Sequence, residues 1–576
     1  MTRAREPNST PCPPGTVHVV VPGGASQSIE AGRTRLVLAG TLFALAFLGI
    51  AVRLVDLGVI NPVAEPRVAG GGEPHLPAAR ADIVDRNGVV LATTLPAASL
   101  YADPRQVIDP AAAASALAGA LPGLTESEAL AKLSSDRSFI WLKRNLTPRE
   151  QYRINRLGVP GLYFQREQRR VYPHGHLTAH GVGFTDVDNR GLAGIERAFD
   201  EVLNAPAEPL ALSLDLRIQH IVHNELSRAM REFGAIGAAG LVLDATTGEV
   251  LAMVSLPSFD PNSPANAAPE TRFNRTSLGV YEMGSLFKIF TTAMALDQGV
   301  VGLDDGYDTS RPIRVARFTI TDFKPKNRWL SVPEIFMYSS NIGTVQMAMD
   351  AGTAAQQVFL DRLGLTSAAS VELPEVGQPM IPSPWREINT MTISYGHGLA
   401  VSPVQLASAV AAVVNDGELR PATLIKTADG VRPPARQVIG EKTSRTMRQL
   451  MRLVVRNGTG RKADARGYQV GGKTGTADKL IGGRYARDAR IASFVGAFPM
   501  NAPRYVVFAM LDEPQGNEST LGYATGGWVA APVVGRIVEG IGPLLGVEPI
   551  LDDLEEDDSE PLLIRVMARA SKVAAN

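Results

Sequence analysis

The sequence predicts an α+β protein: an antiparallel sheet packed with helices, an elongated N-terminal pedestal domain and one transmembrane helix. Three observations lead there. Paired β-rich runs separated by turn residues lie on both sides of a long helical middle, Gly240–Asp244 with Glu249–Val254 before it and Ile491–Phe498 with Arg504–Leu511 after it. An uncharged apolar run, Leu36 to Val52, is bounded by Arg33, Arg35 and Arg53. A length of 576 residues is too great for one ordinary core and implies two or three domains.

Residues 1–34 form a tail, rich in Pro, Gly and Ser from Pro7 to Ser28, whose composition predicts disorder. It holds Cys12, the only cysteine, so disulfides, thiolate metal sites and a cysteine nucleophile are excluded from everything that follows. A body without thiols suits an oxidising compartment. Residues 35–55 are the predicted span, at the lower limit of about 17 apolar residues, with Arg53 able to snorkel. A cleaved signal peptide fits less well, since no A-x-A site follows the run, and no cysteine follows for a lipoprotein anchor. Arg3, Arg5, Arg33 and Arg35 precede the span and Arg53 and Arg67 follow it, a slight bias that places the tail in the cytoplasm and the body outside.

Residues 56–79, rich in Pro and Gly, read as a linker. The pedestal is expected over 80–213. Its Asn87-Gly88 pair reads as a hairpin turn before Val89-Val90-Leu91, and short elements continue through Arg170-Val171-Tyr172-Pro173 and Gly194-Ile195-Glu196. Residues 214–545 are expected to hold the chemistry. Residues 546–576 form an acidic tail (Asp552, Asp553, Glu555, Glu556, Asp557, Asp558, Glu560), read as solvated, with a short amphipathic stretch from Leu562. With 57 basic and 58 acidic residues the net charge is −1, which offers nothing to nucleic acid.

Three short motifs follow one another: Ser285-Leu286-Phe287-Lys288, Ser339-Ser340-Asn341 and Lys473-Thr474-Gly475-Thr476. Serine hydroxyls are poor nucleophiles at neutral pH and need a base within reach. At i and i+3 of a helix Ser285 and Lys288 share a face. Gly284 suits a tight entry, and Ile289, Phe290, Ala293, Met294 and Leu296 make the helix apolar nearly all round, up to a stop at Gly299. Burial would lower the Lys288 pKa and free a basic lone pair. Taken alone, Ser285-x-x-Lys288 is an ordinary helix start with a solvated lysine. Its apolar flanks leave no solvated face, and S-x-x-K, S-x-N and K-T-G in this order are the active-site set of penicillin-recognising acyl-serine enzymes. Glycines before Lys473 permit close approach of a ligand to the strand. His397, between glycines, reads as a neutral loop histidine, and Asp304-Asp305 lacks a histidine partner and reads as a turn. No metal or cofactor is expected.

On these residues the chain resembles the class B penicillin-binding proteins, the monofunctional peptidoglycan D,D-transpeptidases. Arg80-x-x-Ile83-x-Asp85-Arg86-x-Gly88, Arg170-x-Tyr172-Pro173 and Gly194-Ile195-Glu196 match as well as the catalytic motifs. Tyr281-Glu282-Met283-Gly284-Ser285, Tyr395-Gly396-His397-Gly398 and the stretch from Gly482 to Pro514 look like the division-specific FtsI type. Met283 departs from the proline that most of the family carries. The resemblance implies the penicillin-binding transpeptidase fold and assigns roles. Ser285 attacks the penultimate D-alanine of a stem peptide and Lys288 takes its proton. Ser339 relays a proton to the leaving D-alanine, and Asn341 holds the peptide amide. Lys473 supplies charge, while Thr474 and Thr476, flanking Gly475, grip the terminal carboxylate. The N–H groups of Ser285 and Thr476 form an oxyanion hole. It further implies acylation by β-lactams, a lipid-linked nascent glycan as co-substrate, and an FtsW-type glycan polymerase and other divisome membrane proteins as partners. Single-pass insertion in the inner membrane with a periplasmic catalytic domain completes the expectation. A pedestal substitution such as Arg170→Glu is expected to block division and spare acylation. A β-lactamase is disfavoured, because no E-x-x-L-N signature lies between Asn341 and Lys473. An elongation-type transpeptidase, a carboxypeptidase that accepts water, and a silent divisome scaffold of the same fold are the alternatives; intact motifs argue against the last.

Overall fold

A computed structural model describes residues 37, 40–51, 79–205, 208–315, 318–428, 430–482, 484–550, 559, 561–563 and 565–566. Residues 1–75 and 76–576 form separate units. In the first, residues 40–51 are helical and exposed, with Leu42, Phe43, Phe47 and Leu48 all more than half accessible. Among the described residues no helix is long and apolar enough to cross a membrane. The rest of the predicted span, the tail and most of the linker lie outside the described residues.

In the second unit the Asn87-Gly88 turn forms as expected, between β1 (Ile83–Val84) and β2 (Val90–Ala102). Asp85 fixes it by accepting from the backbone N–H of Asn87 and Val89, both at 2.8 Å. β2 lies antiparallel to β3 (Ile140–Leu146) and, along ten residue pairs from Thr93 to Ala102, to β4 (Leu162–Val171). β5 (Leu210–Ala211) pairs with β1 in parallel. Helices α1 (Pro110–Ala120), α2 (Glu126–Leu133) and α3 (Pro148–Asn155) start at side-chain caps Asp109, Thr125 and Thr147. Their apolar faces and those of the strands enclose a small core around Leu100, Leu117, Leu133 and Ile154.

The three pedestal motifs read from the sequence meet at one carboxylate. Glu196, fully buried, accepts from Arg80 Nε at 2.6 Å and from Arg170 Nε at 2.7 Å. Arg80 also reaches Asp200 Oδ1 at 2.7 Å, and Arg170 reaches Thr94 Oγ1 at 3.0 Å. Arg170 is 6% exposed, so it is no surface probe. Arg170→Glu, expected from the sequence to block division and spare acylation, therefore also burdens the fold: two like charges would share a dry site.

α4 (Leu216–Glu232) opens the second part, with Ile218, Val222, Leu226 and Ala229 on its buried side. Asp85 also accepts from its first N–H, at 3.1 Å, which ties the β1–β2 turn to this helix. β6 (Gly237–Asp244), β7 (Val250–Leu256), β8 (Gly471–Ile481), β9 (Arg484–Phe498) and β10 (Tyr505–Asp512) make one antiparallel sheet in the order β8-β9-β10-β6-β7. Period-two alternation sends Leu241 and Leu243 to one apolar layer and Val242 to the other. α5 (Lys288–Asp297), α6 (Val332–Tyr338), α7 (Asn341–Ala351), α8 (Pro403–Val414) and α9 (Glu441–Asn457) occupy the first side; α4 and α10 (Ala531–Ile541) cover the second. Each fully buried Leu, Ile or Phe contributes about 1.5–3 kcal/mol. Burial of Lys288 inside this first layer is therefore a cost that the site's hydrogen bonds must offset. Leu562 and Val566 are buried too, so this part of the expected amphipathic stretch packs on the body; the acidic residues read as solvated lie outside the described residues.

Candidate active site

Ser285 stands in a 3-10 turn, Gly284–Phe287, and the α-helix begins only at Lys288. The sequence reading placed both on one α-helix. In a 3-10 turn residues i and i+3 are eclipsed, so the two side chains still share a face. Gly284 is left-handed (φ 54), and a Cβ there would overlap the Thr476 carbonyl oxygen of β8. Behind it, a Cβ at Gly396 (φ 91) would overlap the Gly284 carbonyl. Backbone contact alone therefore seats the serine turn between β8 and the Tyr395–Gly398 loop.

Lys288 is fully buried, yet no hydrogen bond joins it to Ser285 among the described residues. Its Nζ reaches Ser339 O at 2.6 Å, Asn341 Oδ1 at 2.7 Å and Ser339 Oγ at 3.1 Å. Lys473, also fully buried, comes from β8 and reaches the same Ser339 Oγ at 2.9 Å. One hydroxyl thus lies between two lysines. Burial pushes the Lys288 pKa well below its ordinary value, the Lys473 charge adds to this, and Asp322 opposes it. Burial takes Lys473 down to about 7. A neutral Lys288 matches its three partners: two N–H groups serve the two pure acceptors, Ser339 O and Asn341 Oδ1. Its lone pair then faces the only partner able to donate, the Ser339 hydroxyl.

Ser339 caps α6 in the left-handed region (φ 62), a strained backbone for a residue with a Cβ. Asp322 holds it there. It is buried, accepts from Ser340 Oγ at 2.7 Å and from Ile342 N at 3.0 Å, and Asn341 Nδ2 donates to the neighbouring Thr321 O at 2.9 Å. Nothing in the sequence marked Asp322, which stands in a loop without a motif. Thr474 Oγ1 shares a hydrogen bond with Thr459 Oγ1 at 2.8 Å, another contact the sequence did not reveal. Thr476 Oγ1 accepts from Gly526 N at 3.0 Å, leaving its O–H free to donate outward. All eight residues expected at the site are thus on β8, the serine turn and the first residue of α5, or the α6–α7 junction. Four of them, Lys288, Ser339, Asn341 and Lys473, share one hydrogen-bond network. Ser285 lies beside that network, not in it. Among the described residues no group of His, Cys, Asp and Glu could hold a metal ion.

Comparison with known proteins agrees with this geometry. The penicillin binding protein transpeptidase domain family matches residues 238–539, and the penicillin-binding protein dimerisation domain family matches residues 75–208. The chain is 40% identical to the probable peptidoglycan D,D-transpeptidase FtsI of Caulobacter vibrioides, covering 91% of this chain and 90% of that one. It is 33% identical to the peptidoglycan D,D-transpeptidase FtsI of Escherichia coli, covering 91% and 93%. Penicillin binding protein 3 of Mycobacterium tuberculosis, solved with aztreonam, superposes with a TM-score of 0.65 at 26% identity, over 82% of this chain and 98% of that one. Family matches on both halves of the body, relatives that span the chain and the shared fold agree: the chain belongs to the class B penicillin-binding proteins, of the division type.

Proposed function

We propose that the chain is a peptidoglycan D,D-transpeptidase that cross-links stem peptides at the division septum through an acyl-Ser285 intermediate, and that β-lactams stall it there. The observation that carries this is the buried Lys288–Ser339–Lys473 network one turn from Ser285. Neutral Lys288 gives up its longest contact, to Ser339 Oγ, and takes the Ser285 proton as Oγ attacks the penultimate D-alanine carbonyl. Ser339, polarised by Lys473, gives its proton to the departing D-alanine and takes the Ser285 proton back from Lys288, so both end neutral. The backbone N–H groups of Ser285 and Thr476 stabilise the oxyanion, where one donor contributes about 10²–10³-fold. Thr474 and Thr476 bind the terminal carboxylate, and Asn341 orients the peptide. Relatives of similar length named FtsI support the septal assignment.

The test is labelled-penicillin acylation followed by mass spectrometry. Wild type should carry one adduct, on Ser285, and Ser285→Ala should carry none; labelling that survives the substitution would refute the assignment.

The S-x-N wall offers a second test. Asp322→Ala removes both bonds that pin Ser340 and Ile342. Acylation should slow by on the order of 10²-fold, the cost of misplacing a reacting group by about 1 Å. Unchanged stopped-flow acylation would show that the strained Ser339 backbone holds without Asp322.

The apolar run of residues 35–55 supports a single-pass inner-membrane protein with its tail in the cytoplasm and domains at about 80–213 and 214–545 outside. The absence of polymerase signals from either domain favours partnership with an FtsW-type glycan polymerase and other divisome membrane proteins. Single cysteines at Ser28 and at the exposed Ser519, in a Cys12→Ala background, should respectively resist and accept an impermeant thiol reagent on cells with a permeabilised outer envelope. The reverse pattern would invert the topology.

A further inference from the structure

A second polar cluster lies against the serine turn and takes no part in the chemistry above. Glu282 stands three residues before Ser285. Its Oε1 accepts from Gly398 N at 2.8 Å and from the Tyr485 hydroxyl at 3.1 Å, while its buried Oε2 accepts no hydrogen bond among the described residues. His397 stands in the loop laid over Gly284, where Gly284 N donates to Gly396 O at 3.1 Å. Its buried Nδ1 also has no partner among the described residues. The Tyr485 ring meets the His397 ring edge-on at 5.7 Å, with Tyr395 on its other side at 5.3 Å. With its proton on Nε2, His397 offers Nδ1 as an acceptor, so two buried acceptors without a partner among the described residues lie beside a tyrosine that is itself about half exposed. Unpaired acceptors of this kind cost stability unless a ligand satisfies them. A carboxylate oxygen and an imidazole lone pair together suit a donor that is cationic and carries several N–H groups, which is a primary ammonium.

We propose that Glu282 and His397 form the acceptor site of the cross-linking step, binding the primary ammonium of the incoming stem peptide and converting it to the attacking amine. This rests on the transpeptidase reading and names the part of it that the three motifs leave out. The ammonium enters by displacing Tyr485 and donates to Glu282 Oε2 and His397 Nδ1. One proton passes to Nδ1, leaving a neutral amine and an imidazolium beside the Glu282 carboxylate. The amine nitrogen attacks the acyl carbonyl carbon, forming the C–N bond. As the tetrahedral adduct collapses the C–Oγ bond breaks, the surplus proton on nitrogen returns to Ser285 Oγ, and His397 gives its proton to water. Burial keeps His397 neutral before the acceptor arrives, against the charges of Glu282 and Asp478.

The test uses the detergent-solubilised full chain, a donor peptide ending in D-Ala-D-Ala, and an acceptor peptide with a free side-chain amine. Partition of the acyl-enzyme between cross-linked and hydrolysed product is followed against acceptor concentration. Glu282→Gln should raise the acceptor concentration for equal partition at least tenfold. Tyr485→Phe, which releases the covering ring, should lower it about threefold. A merely structural Glu282–Tyr485 bond would make both variants worse, and that result, or an unchanged Glu282→Gln, overturns the proposal. A guanidinated acceptor, cationic but not nucleophilic, is also titrated calorimetrically onto penicillin-acylated enzyme. It should bind wild type and bind Glu282→Gln at least tenfold more weakly; equal binding overturns the site. Because the titration needs no turnover, retained binding without any cross-linked product counts against the transpeptidase reading alone.

Discussion

Lys288→Arg should abolish penicillin acylation of Ser285, by on the order of 10³-fold or more, while Lys473→Arg should leave measurable acylation. Lys288 must become neutral, and its surroundings arrange this: burial first, the neighbouring Lys473 charge second. A guanidinium stays protonated at any accessible pH and cannot take the Ser285 proton. Lys473 is needed as a cation, and arginine remains one. The pH dependence separates the two roles. In the free enzyme the second-order acylation rate should rise on the acid side as Lys288 loses its proton. It should fall as pH rises through about 7, where Lys473 loses its charge. Lys473→Arg should abolish the alkaline fall and keep the acid limb. Stopped-flow acylation from about pH 5 to 10 reads both limbs, and equal loss in the two arginine variants would contradict separate roles.

Glu196→Ala should destabilise the body by about 3–5 kcal/mol, since it leaves the buried Arg170 without its carboxylate and Arg80 with Asp200 alone. Arg170→Glu should be worse, because it sets a second carboxylate against Glu196. Denaturant unfolding of the soluble body measures both. Replacing Glu196 by Gln keeps the shape and one acceptor and should recover part of the loss. If Glu196→Ala unfolds with wild-type stability, the two arginines find other partners and the cluster is not what joins the pedestal motifs.

Much of the site was legible because its chemistry is carried by residue type at short spacing. Ser285 and Lys288, Ser339 and Asn341, and Lys473 to Thr476 each form a local pattern, and antiparallel pairing brings the last onto a sheet edge. The hairpins of β6 with β7 and of β9 with β10 were readable for the same reason, from turn residues between apolar runs. What could not be read is long-range. Asp322 acts on Ser340 through a loop contact, Thr459 meets Thr474 across a helix end, and Arg170 reaches Glu196 only once β4 and the following helical turn have folded together. Local spacing also left unread the resting contacts of Lys288, which are with Ser339 and Asn341 on a distant helix pair.

The seat of the serine turn also bears on how resistance can arise under antibiotic selection. Gly284 lies against the Thr476 carbonyl on one side and beneath Gly396 on the other, so each position admits no side chain at all. Any side chain at either glycine adds atoms where main chain already stands, so a substitution there is expected to cost turnover and β-lactam acylation together. The opposite wall differs: Ser339 is held there by the side chains of Asp322 and Ser340, so substitutions are expected to lower drug acylation by degrees and leave room for a trade between escape and turnover.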